Sequence, residues 1–186
     1  MEIGFAMCGS FCTYAQVFPI MEQLAQQHHV IPIFSEVSCT TDSRFGSAQE
    51  FWDRATAICG SEPLSAIADV EPIGPKKLLD ALVIAPCTGN TLAKLSRGIA
   101  DGPVTMAAKS HLRNGRPILV AVSTNDALAG AAENIGRLLA RKHFYFVPFG
   151  QDNALKKPTS MVADFSQIPQ ALDAALEGRQ IQPILL

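Results

Sequence analysis

Ala81-Leu82-Val83-Ile84-Ala85-Pro86-Cys87-Thr88-Gly89-Asn90-Thr91 is the stretch on which the fold turns. It opens as a short apolar run without alternation, the pattern of a strand buried on both faces. The run stops at Pro86 and gives way to small hydroxyl and amide residues, and Leu92, Leu95 and Ile99 then recur at helical spacing. In a parallel α/β sheet, the loop after a strand's C-terminal end faces the first turn of the next helix, which is where ligands bind. Cys87, Thr88, Gly89 and Asn90 are small enough to let a flat ligand touch backbone and polar enough to hydrogen-bond it. The same spacing also describes an ordinary helix start, with Thr88 or Asn90 as its N-cap.

The chain on either side repeats the alternation. Residues 3–7, 30–34, 118–122 and 144–147 read as further short strands. Helices are expected over 13–27, 47–59, 91–99, 104–112, 127–141 and 168–176, with Pro19 bending the first or marking a late start. Residues 62–75 are rich in Pro and Gly and resist assignment, and 151–160 read as an exposed loop. Short strands alternating with helices predict a three-layer, doubly wound, Rossmann-like sheet, mostly parallel and covered on both faces. With no internal repeat, low-complexity tract or linker, residues 1–186 are expected to form a single domain.

Composition narrows the function classes. A hydrophobic content of 48% with 17% charged residues belongs to a folded chain with a real core. A net charge of −2 offers no electrostatic footprint for nucleic acid or an anionic membrane. No apolar stretch is long enough to cross a bilayer, and the start Met1-Glu2-Ile3 lacks the basic opening of a secretory signal. The five cysteines, Cys8, Cys12, Cys39, Cys59 and Cys87, include no Cys-x-x-Cys pair. Reduced thiols in a cytoplasmic protein are therefore expected, with no metal site and no disulfide framework.

Three more loops carry chemistry-bearing residues. Cys8-Gly9-Ser10-Phe11-Cys12-Thr13 follows the first strand and has neither a dinucleotide nor a P-loop glycine fingerprint. Gly9 permits close backbone approach, and Ser10, Thr13 and a helix N-terminus suit a single phosphate monoester; a plain strand-to-helix turn has the same form. After the second strand, residues 35–44 hold five hydroxyls (Ser35, Ser38, Thr40, Thr41, Ser43) and Arg44, donors for a phosphate or else a solvated polar loop. Glu36 would suit a nicotinamide ribose, but the glycines that accompany such an acid are missing. Val122-Ser123-Thr124-Asn125-Asp126 follows the strand at 118–122, with Asp126 also readable as a helix cap. Among the histidines, His111 is the one considered for the site, and His28, His29 and His143 read as surface or core residues.

Pro86 to Thr91, followed by Lys94 and Gly98-Ile99-Ala100-Asp101, resembles the P-A-[ST]-A-N-T…K…G-I-A-D signature of the FMN-dependent flavoproteins. That family includes the phosphopantothenoylcysteine and lantibiotic decarboxylases and the flavin prenyltransferases. Gly9–Thr13, Ser123–Leu128 and Tyr145–Asp152 add to the likeness, which is closest to the branch formed by the B subunits of dipicolinate synthase and runs from Ile3 to about Asp164. The resemblance implies FMN held by Gly9, Ser10, Ser35, Ser38, Cys87, Thr88 and Gly89. It implies that Asn90 contacts substrate, with Asn125 in the Asn slot of the decarboxylases' P-x-M-N segment. Cys87 and Gly89 depart from the family's alanines while keeping the pocket small. The decarboxylases' His upstream of the signature Pro has no counterpart in Glu71-Pro72-Ile73-Gly74-Pro75, so cysteine decarboxylation is not expected.

The branch implies oxidation of dihydrodipicolinate to pyridine-2,6-dicarboxylate, with NADP used by the overall reaction and a separate A subunit as partner. It also implies the cytoplasm of the mother cell in a sporulating bacterium, and a trimer-based homo-oligomer. A diacid calls for cationic and amide donors. Lys94 and Lys109 are candidates beside the two asparagines, with Arg113 and the Lys156-Lys157 loop as further ones. A prenyltransferase or decarboxylase on the same fold, and a non-catalytic scaffold with a vestigial flavin site, are the alternatives.

Overall fold

A computed structural model describes all 186 residues. Four consecutive strands, β1 (Glu2–Met7), β2 (His29–Phe34), β3 (Ala81–Cys87) and β4 (Ile118–Thr124), pair in parallel in the order β2-β1-β3-β4. Their residues are almost all buried, as strands covered on both faces must be. The one proline within β2, Pro32, sits at the sheet edge, where its missing N–H breaks no ladder. Pro86 likewise lies where the pairing of β3 with β4 shifts register.

Between the strands run α1 (Tyr14–Ala25), α2 (Glu36–Thr40), α3 (Ala48–Cys59), α4 (Ile67–Val70), α5 (Gly89–Arg97) and α6 (Pro103–Leu112). After β4 come α7 (Ala132–Leu139), β5 (Phe144–Phe146), β6 (Phe149–Asn153), β7 (Lys157–Ala163) and α8 (Ile168–Leu176). Helices α1 and α8 pack on one face of the sheet, and α5, α6 and α7 cover the other. One core cluster of 47 buried residues joins them, from Ile3 to Leu172.

Several expectations need correcting. Helix α1 begins ahead of Pro19 and runs through it, because Pro19 and Ala15, whose carbonyl loses its donor, both face solvent. Residues 35–44 are not all loop: α2 occupies part of them, with Ser35 as its cap. The segment 62–75 holds α4 and a short 3₁₀ turn at Glu71–Ile73. Helix α7 starts at Ala132, later than expected, since the preceding residues close as turns, Ala129 and Ala132 donating to the Asp126 and Ala129 carbonyls three residues back at 2.9 and 3.1 Å.

The largest correction concerns 151–160, which form most of an antiparallel hairpin, β6 and β7, closed where Asn153 Oδ1 accepts from the amides of Leu155 and Lys156. Strand β4 is shared. Its first half pairs in parallel with β5, and its last residues, Ser123 and Thr124, pair antiparallel with Val162 and Met161 of β7. The hairpin therefore stands beyond the C-terminal edge of the parallel sheet, beside the loops.

Candidate functional site

The chain leaves β1 toward β2 on one side and returns to β3 on the other, so the loops after β1 and β3 diverge. A crevice opens at such a switch point. Two adjoining clefts fill it, sharing Gly9, Thr88 and Asn90. The smaller, of about 300 Å³, lies between Ser35-Glu36-Val37, the α5 N-terminus and Gly102–Thr105 at the start of α6. The larger, of about 840 Å³, is walled by Ser10–Thr13, Arg44-Phe45, Ser123–Asp126 and the hairpin residues Asp152, Lys157 and Ser160–Val162.

The floor is held by hydroxyl contacts between loops. Ser10 Oγ lies 2.7 Å from Ser123 Oγ, which ties the loop after β1 to the end of β4. Thr88 Oγ1 caps α5 by accepting from the Thr91 amide at 3.4 Å, and Thr91 Oγ1 donates to Cys8 Sγ at 3.3 Å. The cap is thus Thr88 and not Asn90. Asp126 does not cap α7; its carboxylate accepts from Thr124 Oγ1 at 2.5 Å. Gly89 is where these two loops meet, since a Cβ there would lie 2.7 Å from Thr124 Oγ1 and 2.8 Å from Asp126 Oδ1. That contact gives the glycine in the family's Ala position a packing cause.

Beneath the loop after β1, Phe11, Tyr14, Phe18 and Phe51 form an aromatic cluster with centroid separations of 4.7 to 6.1 Å. Ser38 is fully buried under the same loop, donating to the Met7 carbonyl at 3.1 Å and accepting from Tyr14 Oη at 2.9 Å.

The structure sorts the expected residues. Asn90 and Asn125 are both exposed, both line the larger cleft, and neither side chain has a hydrogen-bond partner in the protein. Gly9, Ser10, Ser35, Thr88 and Gly89 line one cleft or both. Ser38 and Cys87 line neither: Ser38 spends its hydroxyl within the core, and Cys87 is the last, inward-facing residue of β3. Burial pushes the Cys87 thiol well up and the Cys8 thiol to about 11, so neither is a thiolate at neutral pH. Lys94 lines the smaller cleft but is paired with Asp101 at 2.8 Å, while Lys109 is exposed on α6 and lines neither.

His111 is not a site residue. It is fully buried, its Nε2 donates to the Pro117 carbonyl at 3.1 Å, and its Nδ1 has no partner. Desolvation depresses its pKa from 6.5 to about 4. Sequence reasoning expected a helix over 104–112 without assigning its N-terminus to the site, and left Lys157 as one loosely placed cation among several. The Gly102-Pro103 step, a helix-start signal, would have found the first. The contribution of Asp152, Ser160 and Lys157 depends on the hairpin.

Gly9 supports the view that an elongated ligand lies along both clefts. It stands at their junction, and a Cβ there would come within 2.8 Å of Val37 Cγ1, narrowing the throat. The amides of Gly89 and Asn90, in the first turn of α5, have no intrahelical acceptors and join the hydroxyls as donors. This donor set, neutral and concentrated at loop ends, fits a phosphate monoester joined to a flat ring.

The comparisons agree with this geometry. The family model described as Flavoprotein matches residues 1–145. The B subunit of dipicolinate synthase from Bacillus subtilis (strain 168) is 44% identical over 186 residues, covering 100% of this chain and 93% of the relative. The crystal structure of the dipicolinate synthase B subunit from Bacillus halodurans C superposes with a TM-score of 0.91 at 44% identity, covering 100% of this chain and 95% of that one. The FMN-dependent cysteine decarboxylase SpaF shares the fold, with a TM-score of 0.69 at 22% identity over 94% of this chain and 97% of its own. With its four cleft-lining loops set around a switch-point crevice and this likeness along its length, the chain belongs to the flavoprotein family.

Proposed function

We propose that this chain is the B subunit of a dipicolinate synthase and takes part, with a separate A subunit, in oxidising dihydrodipicolinate to pyridine-2,6-dicarboxylate. The observation that carries the reading is the 44% identity to a protein of that name along the full length of this chain. Residues 1–186 act in it as one domain, since β6, β7 and α8 contribute to the same core as the parallel sheet. FMN is the cofactor proposed for the crevice, with NADP as the acceptor of the overall reaction, carried by the partner protein. Gly9, Ser10, Ser35, Thr88 and Gly89 would hold the flavin, and when bound it would supply a hydride acceptor.

Aromatisation of the ring drives the reaction, so the protein's task is to orient the substrate and balance its two carboxylates. The free amides of Asn90 and Asn125 face the same cleft and donate to those carboxylates in this reading. Cysteine decarboxylation is disfavoured because none of the four histidines lines either cleft. The protein is further proposed to form a trimer-based homo-oligomer, expected by light scattering to stay larger than a monomer at micromolar concentration.

Purification with its A subunit tests the whole reading. A flavin spectrum and turnover of dihydrodipicolinate by the assembled enzyme support it. A colourless protein that binds the A subunit, and whose removal leaves turnover unchanged, would replace the catalytic reading with a scaffold.

A further inference from the structure

A ligand with two carboxylates needs cations, and those of this chain differ in whether they reach the larger cleft. Lys109, Arg113 and Lys156 line neither cleft, and Lys94 lines only the smaller one while paired with Asp101. Arg44 and Lys157 are the two cations in the larger cleft. Arg44 comes from the β2 side, its guanidinium 4.8 Å from the Phe45 ring centroid and without an acidic partner. Lys157 comes from the first residue of β7, on the side where Ser123, Asn125 and Ser160 line the same wall.

We propose that Lys157 anchors a carboxylate of the aromatic diacid, exchanging Asp152 for the ligand when it binds; this rests on the dipicolinate synthase reading. Lys157 Nζ donates to Asp152 Oδ2 at 2.5 Å, with the two side chains 60% and 35% exposed. Ion pairs as open to water as this one are weak, so giving up Asp152 costs little. Exchange conserves the count of charge-assisted bonds on the ammonium, and Asp152 keeps Ser160 Oγ, 3.5 Å away, as a donor. Asn125, whose side chain is free, stands on the same wall to take the second oxygen or the second carboxylate.

The test is calorimetric titration of dipicolinate into the flavin-loaded protein, alongside KM and kcat for dihydrodipicolinate in the assembled two-subunit enzyme. Lys157→Gln is expected to weaken dipicolinate about ten-fold or more and to raise KM with kcat nearly unchanged. Lys157→Arg keeps most of the affinity, and Asp152→Asn tightens binding because it removes both the competitor and a repelling charge. Lys157→Gln binding within about two-fold of wild type overturns the proposal. So does Asp152→Asn weakening binding as much as Lys157→Gln, since the pair then only braces the hairpin. Wild-type protein that neither binds dipicolinate nor turns over dihydrodipicolinate removes the functional reading and this anchor together. Wild-type protein that does both, with a silent Lys157→Gln, removes the anchor alone.

Discussion

Asn90 is the residue whose role the geometry sharpens most. It occupies the first turn of α5, yet Thr88 does the capping, and the Asn90 side chain points to no protein partner. Replacing it with Ala should therefore leave thermal stability nearly unchanged. If its amide donates to a carboxylate, the lost bond is worth ~1.5–3 kcal/mol, a drop in kcat/KM of roughly ten- to a hundred-fold in the assembled enzyme. Thr88→Ala is the contrasting variant: loss of the cap should cost about 1 kcal/mol of stability, read as a lowered urea midpoint. A normal kcat/KM in Asn90→Ala would make the signature asparagine dispensable in this chain. Ser38 and Cys87 show why single positions were hard to read from sequence. Each sits within a few residues of true cleft-lining groups, and only the direction of its side chain, set by α2 and by the last step of β3, turns it into the core.

At the scale of elements, helix α3 supports the cleft without touching it. Phe51 is 7% exposed and packs against Phe11, Tyr14 and Phe18, so it props the loop that carries Gly9 and Ser10. Phe51→Ala should cost about 3 kcal/mol or more in chemical denaturation. It should also weaken flavin retention during gel filtration, because Phe11 loses its stacked neighbour. Unaltered flavin retention in a folded but destabilised variant would separate the cluster from the site. Strands β1 to β4 were legible because each is built around a short apolar run, and α3 and α8 because their apolar residues recur at helical spacing. The hairpin was not legible. Gln151-Asp152-Asn153 and Lys157-Pro158-Thr159 are polar, largely exposed and interrupted by proline, and they become strands by pairing across the hairpin whose Met161 and Val162 take up the end of β4.

For the whole molecule, His111 couples folding to pH. The folded state holds it neutral, with a pKa of about 4 against an ordinary 6.5, so the unfolded chain binds the extra proton between those values. Stability is fully present above about pH 6.5, falls as pH drops toward 4 and levels off below it, a loss of roughly 3 kcal/mol from this one group. Carboxylates held low by hydrogen bonds, such as Asp164, act in a more acidic window, being stabilising above their ordinary range and losing that contribution as they protonate. Between pH 7 and pH 4 the urea midpoint of wild type should fall further than that of His111→Leu, and parallel curves would place the acid sensitivity elsewhere. No helix is long and apolar enough to cross a membrane.

The family-wide likeness spans residues 1–145, and the hairpin begins at Phe149. One wall of the crevice is paired to the sheet through the last two residues of a single strand, Ser123 and Thr124. Asp152 and Lys157 are exposed on that wall, so their charges can be changed without disturbing the parallel scaffold. Charge and reach at the mouth of the crevice are thus set by a few exposed positions, while the hairpin's apolar residues Phe149, Met161 and Ala163 stay fixed in the common core.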